Sequence, residues 1–173
     1  GLGDVYKRQV EQRVEDLLSR MTLEEKVGQL FFVRCPMENA VEDISTYHLG
    51  GYLLFSRDFK DGDNWLTKEQ FLEKIQGYQD AAKIPLFIGS DEEGGTVTRA
   101  SRDPKLFAQP LPSPQELYAA RGMDGLAAEP LDYNKQLLAL GINVNRCATY
   151  PPTRATSSTR ARSAETPRRR ANL

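Results

Sequence analysis

The chain has 173 residues, 39% of them hydrophobic, and a net charge of −1, enough for one domain with a real core. No apolar stretch approaches the roughly 20 residues that span a bilayer, and two cysteines, Cys35 and Cys147, are too few for a disulfide framework or a zinc site. The near-neutral balance conceals a break: residues 146–173 hold 7 Arg, no Lys and one Glu, a net of +6, whereas residues 1–145 carry −7.

The start, GLGDVYKRQ, has no apolar signal core and no initiating Met. It is similar to the adapter-derived leaders of translated short-read assemblies, and residues 1–9 are set apart from the fold on that ground. From Val10 to Leu30 the spacing predicts two short helices meeting near Met21 and Thr22, with Val14, Leu17 and Leu18 on one face and a Thr22/Glu25 capping box opening the second. Gln29 to Val33 reads as a first strand, Glu42 to His48 as a helix broken by Gly50 and Gly51, and Tyr52 to Phe55 as a second strand. SRDFKDGDN then reads as a polar loop. Thr67 opens a helix with Phe71, Ile75 and Tyr78 on one face.

Pro85 stops that run before a third strand, LFIGS, which ends in the acidic triplet Asp91, Glu92 and Glu93, the pair Gly94 and Gly95, and then Arg99. An apolar strand that delivers a carboxylate into a glycine turn is the layout of a ligand site at the mouth of a parallel sheet. The plainer alternatives are that Asp91 caps a helix or forms a turn, that Arg99 pairs with Glu92 or Glu93, and that Glu93 holds the Gly-Gly turn. A phosphate cradle is disfavoured because no Lys-Ser/Thr pair follows the glycines. Ser101 to Pro114 is loop, Leu131 to Leu140 helix, and Gly141 to Asn145 a fourth strand. Alternating strands and helices predict an α/β fold with a parallel sheet.

Residues 146–173 contain no Val or Ile and one Leu. Three readings stand: a disordered extension, an arginine-rich nucleic-acid tail, and a shifted reading frame. The last is favoured, because TYPPTRATSSTRARSAETPRRRAN can be read with a shift as VSTNPGDFIYARSFGRDPAATGE.

MTLEEKVGQLFFV, HLGGYLLFSRDF, IPLFIGSDEEGGTVTR and LGINVN, in this order, resemble glycoside hydrolase family 3, and more narrowly its bacterial β-N-acetylhexosaminidase branch. The resemblance covers residues 10–145 and implies the N-terminal part, about four strands of eight, of a (β/α)8 TIM-type barrel; residues 146–173 stand outside it as a frame-shifted, disordered Arg-rich tail by their composition. It implies retaining hydrolysis of terminal β-linked N-acetylglucosamine, with an oligosaccharide or small-molecule substrate; no cofactor, no metal and no nucleic-acid partner are expected, and the compartment, bacterial cytoplasm or cell surface, is not read from this stretch. A β-glucosidase-type member of the family and a non-catalytic sugar-binding module are the alternatives.

By the same resemblance Asp91 and Arg99 bind the terminal sugar, and Arg57 matches an arginine of the loop after the second strand, where Asp58 replaces the usual Asn. The nucleophile and acid/base group would lie beyond the fourth strand, so the chain as written is expected to be inactive. His48, the one histidine, is expected to be structural, before the second strand and away from the mouth. Four strands of eight would leave edges and apolar faces uncovered, and poor solubility is expected.

Overall fold

The computed structural model describes residues 2–146. Helix α1 spans Leu2–Arg20 and includes residues 2–9. Met21 and Thr22 separate it from α2 (Leu23–Gln29). Thr22 is the N-cap of α2: its hydroxyl accepts from the Glu25 N–H at 3.2 Å, and the Glu25 carboxylate accepts from the Thr22 N–H at 2.8 Å. Lys83 reaches the same carboxylate at 2.5 Å, tying the cap to a loop 58 residues on.

Strand β1 (Phe32–Arg34) starts later than the Gln29–Val33 reading, because α2 keeps Gln29 and uses its side chain to bond the carbonyls of His48 and Leu49. Helix α3 (Ala40–Tyr47), strand β2 (Gly51–Leu54), helix α4 (Lys68–Ala81) and a third sheet strand at Phe87–Ser90 follow as the sequence predicts, within a few residues. SRDFKDGDN is not simply loop. It forms a 3-10 turn at Ser56–Phe59 and an antiparallel hairpin, β3 (Lys60–Asp61) and β4 (Asn64–Trp65), so the strand at Phe87–Ser90 is β5. The alternation that would betray a hairpin is only two residues long on each side. Helix α5 (Pro114–Ala139) is longer than the Leu131–Leu140 reading and changes direction at Gly122, before β6 (Val144–Asn145).

The four longer-range strands form one all-parallel sheet in the order β1-β2-β5-β6, the connectivity with which a (β/α)8 barrel begins. Side chains alternate across it. On one face Tyr52, Leu54 and Ile88 are fully buried against Ile44 of α3 and Phe71, Ile75 and Tyr78 of α4. Tyr52 meets Tyr78 edge to face at 5.4 Å, and its hydroxyl donates to the Ala40 carbonyl at 2.7 Å. Burial pushes the phenols of Tyr52 and Tyr78 far up, so both stay neutral. The other face is open. Phe32 lies across Gly51 and Gly89, where an added Cβ would come within 2.6 Å and 2.5 Å of its ring, and Phe87 beside them is 59% exposed.

Further apolar side chains are exposed on the first two helices, including Val14, Leu17, Leu18 and Leu23. Among the described residues no helix is long and apolar enough to cross a membrane. The reading of residues 146–173 as a disordered or frame-shifted tail lies outside the described residues beyond Arg146. Exposed aromatic surface of this kind binds a hydrophobic dye. Phe87→Ser is expected to lower dye fluorescence and slow precipitation without loss of helical circular dichroism; unchanged dye binding would locate the sticky surface elsewhere.

Candidate functional site

The C-terminal ends of the parallel strands bring Arg34, Phe55, Asp91 and Arg146 to one mouth, and the chain returns there at Arg99. Asp91 follows β5 directly. Its Oδ2 lies 3.9 Å from Arg99 Nη2 and its Oδ1 3.9 Å from Arg146 Nη1. Both separations exceed hydrogen-bond length, so the carboxylate is flanked by cations while its lone pairs remain open to a ligand. The Asp91 and Arg99 side chains are 16% and 26% exposed, reachable from solvent but largely walled in.

Glu92 is what returns Arg99 to Asp91. It is 1% exposed, and its carboxylate accepts from the backbone N–H groups of Arg99 (2.7 Å), Ala100 (2.5 Å) and Ser101 (3.4 Å) and from the hydroxyls of Ser90 (3.2 Å) and Ser101 (2.7 Å). The Glu92 N–H donates to Asn145 Oδ1 at 3.1 Å, joining β5 to β6. The sequence reading gave the holding of this turn to Glu93 and weighed, as a plainer alternative, a pairing of Arg99 with Glu92 or Glu93. Glu93 takes part through its N–H to the Val97 carbonyl (2.9 Å), the Glu92 carboxylate holds the backbone, and the Arg99 side chain faces Asp91. Three acidic residues in a row are alike in type; only the strand's alternation decides which one turns inward.

Gly94 sits at φ +88° with no room for a side chain, since a Cβ there would fall 2.2 Å from the Pro112 carbonyl oxygen. The turn is therefore packed against the loop that leads into α5, not open as a phosphate cradle would be.

Phe55 was not singled out by sequence reasoning. The half-buried ring carries Arg34 at 4.3 Å and Arg99 at 5.3 Å from its centroid. Asp58 fixes the backbone there by accepting the Phe55 N–H at 2.6 Å. Arg57 donates to the Cys35 carbonyl at 2.6 Å and lies 3.7 Å from the Asp58 carboxylate. Asp58 thus places a buried acid in this loop, and burial raises its carboxyl above the ordinary range. An aromatic immediately after a strand that ends at the mouth was the available signal for Phe55.

His48 lies at the opposite, N-terminal end of the strands, as the C-cap of α3, where its carbonyl receives Gln29. Among the described residues no group of three or more His, Cys, Asp or Glu could hold a metal ion. A mouth of this kind can orient polar hydroxyls between a carboxylate and a guanidinium.

The profile of the glycosyl hydrolase family 3 N terminal domain matches residues 22–155. Beta-hexosaminidase A from Pseudoalteromonas piscicida is 29% identical over 115 residues, 62% of this chain and 18% of that protein. Among solved structures, a family 3 beta-N-acetylglucosaminidase from Paenibacillus sp. str. FPU-7 is similar at a TM-score of 0.58 and 28% identity, over 72% of this chain and 23% of that one. LpqI of M tuberculosis is similar at 0.60 and 25%, over 75% of this chain and 35% of that one. The chain thus spans well under half the length of each of these relatives.

Two outcomes follow from the geometry. Glu92→Ala strands buried amides and hydroxyls, and is expected to cost about 3 kcal/mol or more in urea unfolding, since each orphaned buried group costs about 1–3 kcal/mol. Asp103, 0% exposed with Oδ2 unpartnered, has its carboxyl raised by burial. A raised folded value means stability that is present while the acid is protonated and lost as pH rises through that value. The stability difference between Asp103→Asn and the parent should therefore move in the variant's favour from acid to neutral pH, and a pH-independent difference in paired melts would refute it.

Proposed function

The chain belongs to glycosyl hydrolase family 3, by its N-terminal domain, and on that premise we propose that it is the sugar-holding part of a retaining β-N-acetylhexosaminidase. Asp91 and Arg99 hold the terminal N-acetylglucosamine unit. The observation that carries this reading is the 3.9 Å gap between the two side chains at the strand mouth, wide enough for hydroxyl groups to bridge. A carboxylate accepts from two neighbouring hydroxyls of one sugar ring, and the planar guanidinium donates to the oxygens left over. Together they fix which way the ring faces before any bond is broken.

Retaining hydrolysis needs a nucleophilic carboxylate and an acid/base group on either side of the glycosidic bond. Neither role falls on residues at this mouth. Asp91 lies between two arginines as a holder, Glu92 is buried by its hydrogen bonds, and His48 is at the wrong end. Residues 10–145 are accordingly proposed as one partial barrel that binds without turning over. Two named relatives, a beta-hexosaminidase and a beta-N-acetylglucosaminidase, support the N-acetylated sugar over glucose.

Calorimetric titration of the chain with N-acetylglucosamine is expected to show binding that Asp91→Asn weakens about tenfold, the loss of roughly 1.4 kcal/mol expected for a charge-assisted hydrogen bond. Equal affinity for glucose would favour the β-glucosidase-type reading, and no binding of either sugar would overturn the holding role. Release of nitrophenol from its N-acetyl-β-glucosaminide is expected to be absent. If a longer chain from the same gene hydrolyses this substrate, the enzyme is favoured over a non-catalytic sugar-binding module.

A further inference from the structure

We infer that Phe55 is a positioning residue for the sugar-binding arginine, an inference that rests on the proposed role of Arg99 and adds a residue to it. Arg99 is weakly held by polar partners at its head. Its ion pair with Asp91 is 3.9 Å long, and its Nε is buried with no hydrogen-bond partner. What the guanidinium does contact is the Phe55 ring, 5.3 Å from centroid to Cζ. A cation resting on an aromatic face is attracted by the ring quadrupole and loses rotational freedom there without giving up its N–H donors. The donors therefore stay available to sugar oxygens, which a close bidentate ion pair would have consumed.

The ring is itself fixed from two directions. Asp58 holds the Phe55 N–H at 2.6 Å, and the Arg34 guanidinium at the end of β1 rests on the same ring at 4.3 Å. Phe55 thus links the ends of β1 and β2 to the loop after β5. The buried acid at position 58 and the sugar-facing arginine at position 99 are connected through one aromatic side chain.

The test uses the full 173-residue chain labelled with 15N arginine, the Arg99 Nε–Hε resonance being assigned by its absence in Arg99→Lys. Phe55→Leu is expected to move that resonance downfield as the ring current is lost, whereas Phe55→Tyr leaves it near its place. Where Phe55→Leu does not fold, Phe55→Met reads the same quantity. Affinity for N-acetylglucosamine should fall about tenfold in Phe55→Leu, the scale of a partly desolvated cation–π contact, and be restored in Phe55→Tyr. In the Arg99→Lys background Phe55→Leu should cost little more.

An unmoved Arg99 resonance, or the same affinity loss in both backgrounds, overturns the inference. If the parent chain binds no N-acetylglucosamine, the sugar assignment falls, and the resonance shift alone still decides whether Phe55 positions Arg99.

Discussion

A buried carboxylate that receives three consecutive backbone amides, as Glu92 does, leaves the chain between β5 and Arg102 very little conformational choice. Those amides belong to Arg99, Ala100 and Ser101, so the carboxylate draws the far end of the glycine turn back against the strand that began it. The pairing of Asp91 with Arg99 is a consequence: the two residues are eight positions apart in sequence and meet because the residue between strand and turn is anchored in the core. Loss of the anchor would leave a carboxylate at the mouth with no fixed cation beside it.

The charges at the mouth do different work according to their depth. Asp91 sits within reach of solvent between two guanidiniums at 3.9 Å and keeps its oxygens open. Asp58 is 5% exposed and spends an oxygen on the Phe55 amide. Glu92 spends both of its oxygens on protein donors. Three carboxylates near one another are thus divided into one that faces outward and two that hold loops. Burial, more than residue type, separates them.

Much of the fold was legible because its strands are short apolar runs between helices with strong start signals. The capping boxes at Thr22 and Thr67 mark helix starts by a chemistry that lies within four residues. Phe71, Ile75 and Tyr78 carry a helical period that admits one buried face. The hairpin at Lys60–Trp65 was hidden for the opposite reason: its strands are two residues long, its one cross-strand side-chain contact is Lys60 on the Trp65 ring, and its other anchor, the Lys105 ammonium on the Trp65 carbonyl, lies 40 residues away.

At the site, Asp91 and Arg99 could be picked out by their place after a strand and by resemblance. The interchange of Glu92 and Glu93 could not be resolved, because a turn's inward residue depends on where the strand pairing stops. Phe55 went unmarked for a related reason. Its partners, Arg34 at the end of β1 and Arg99 in the loop after β5, are far off in sequence, and nothing local in LLFSRDF announces them.

The ring of Phe32 occupies space on the sheet face that Gly51 and Gly89 leave vacant, at distances that would put it in collision with any side chain there. The two glycines differ in what else closes them: at 51 the Phe87 carbonyl oxygen would stand 2.3 Å from a Cβ, a backbone contact that no change at 32 relieves, whereas at 89 the Phe32 ring is the one severe obstacle. Across relatives of this chain positions 32 and 89 should therefore change together, a larger residue at 89 appearing with a smaller one at 32, while 51 stays glycine. A designer who replaces Gly89 alone would be selecting for a compensating mutation 57 positions earlier in the chain.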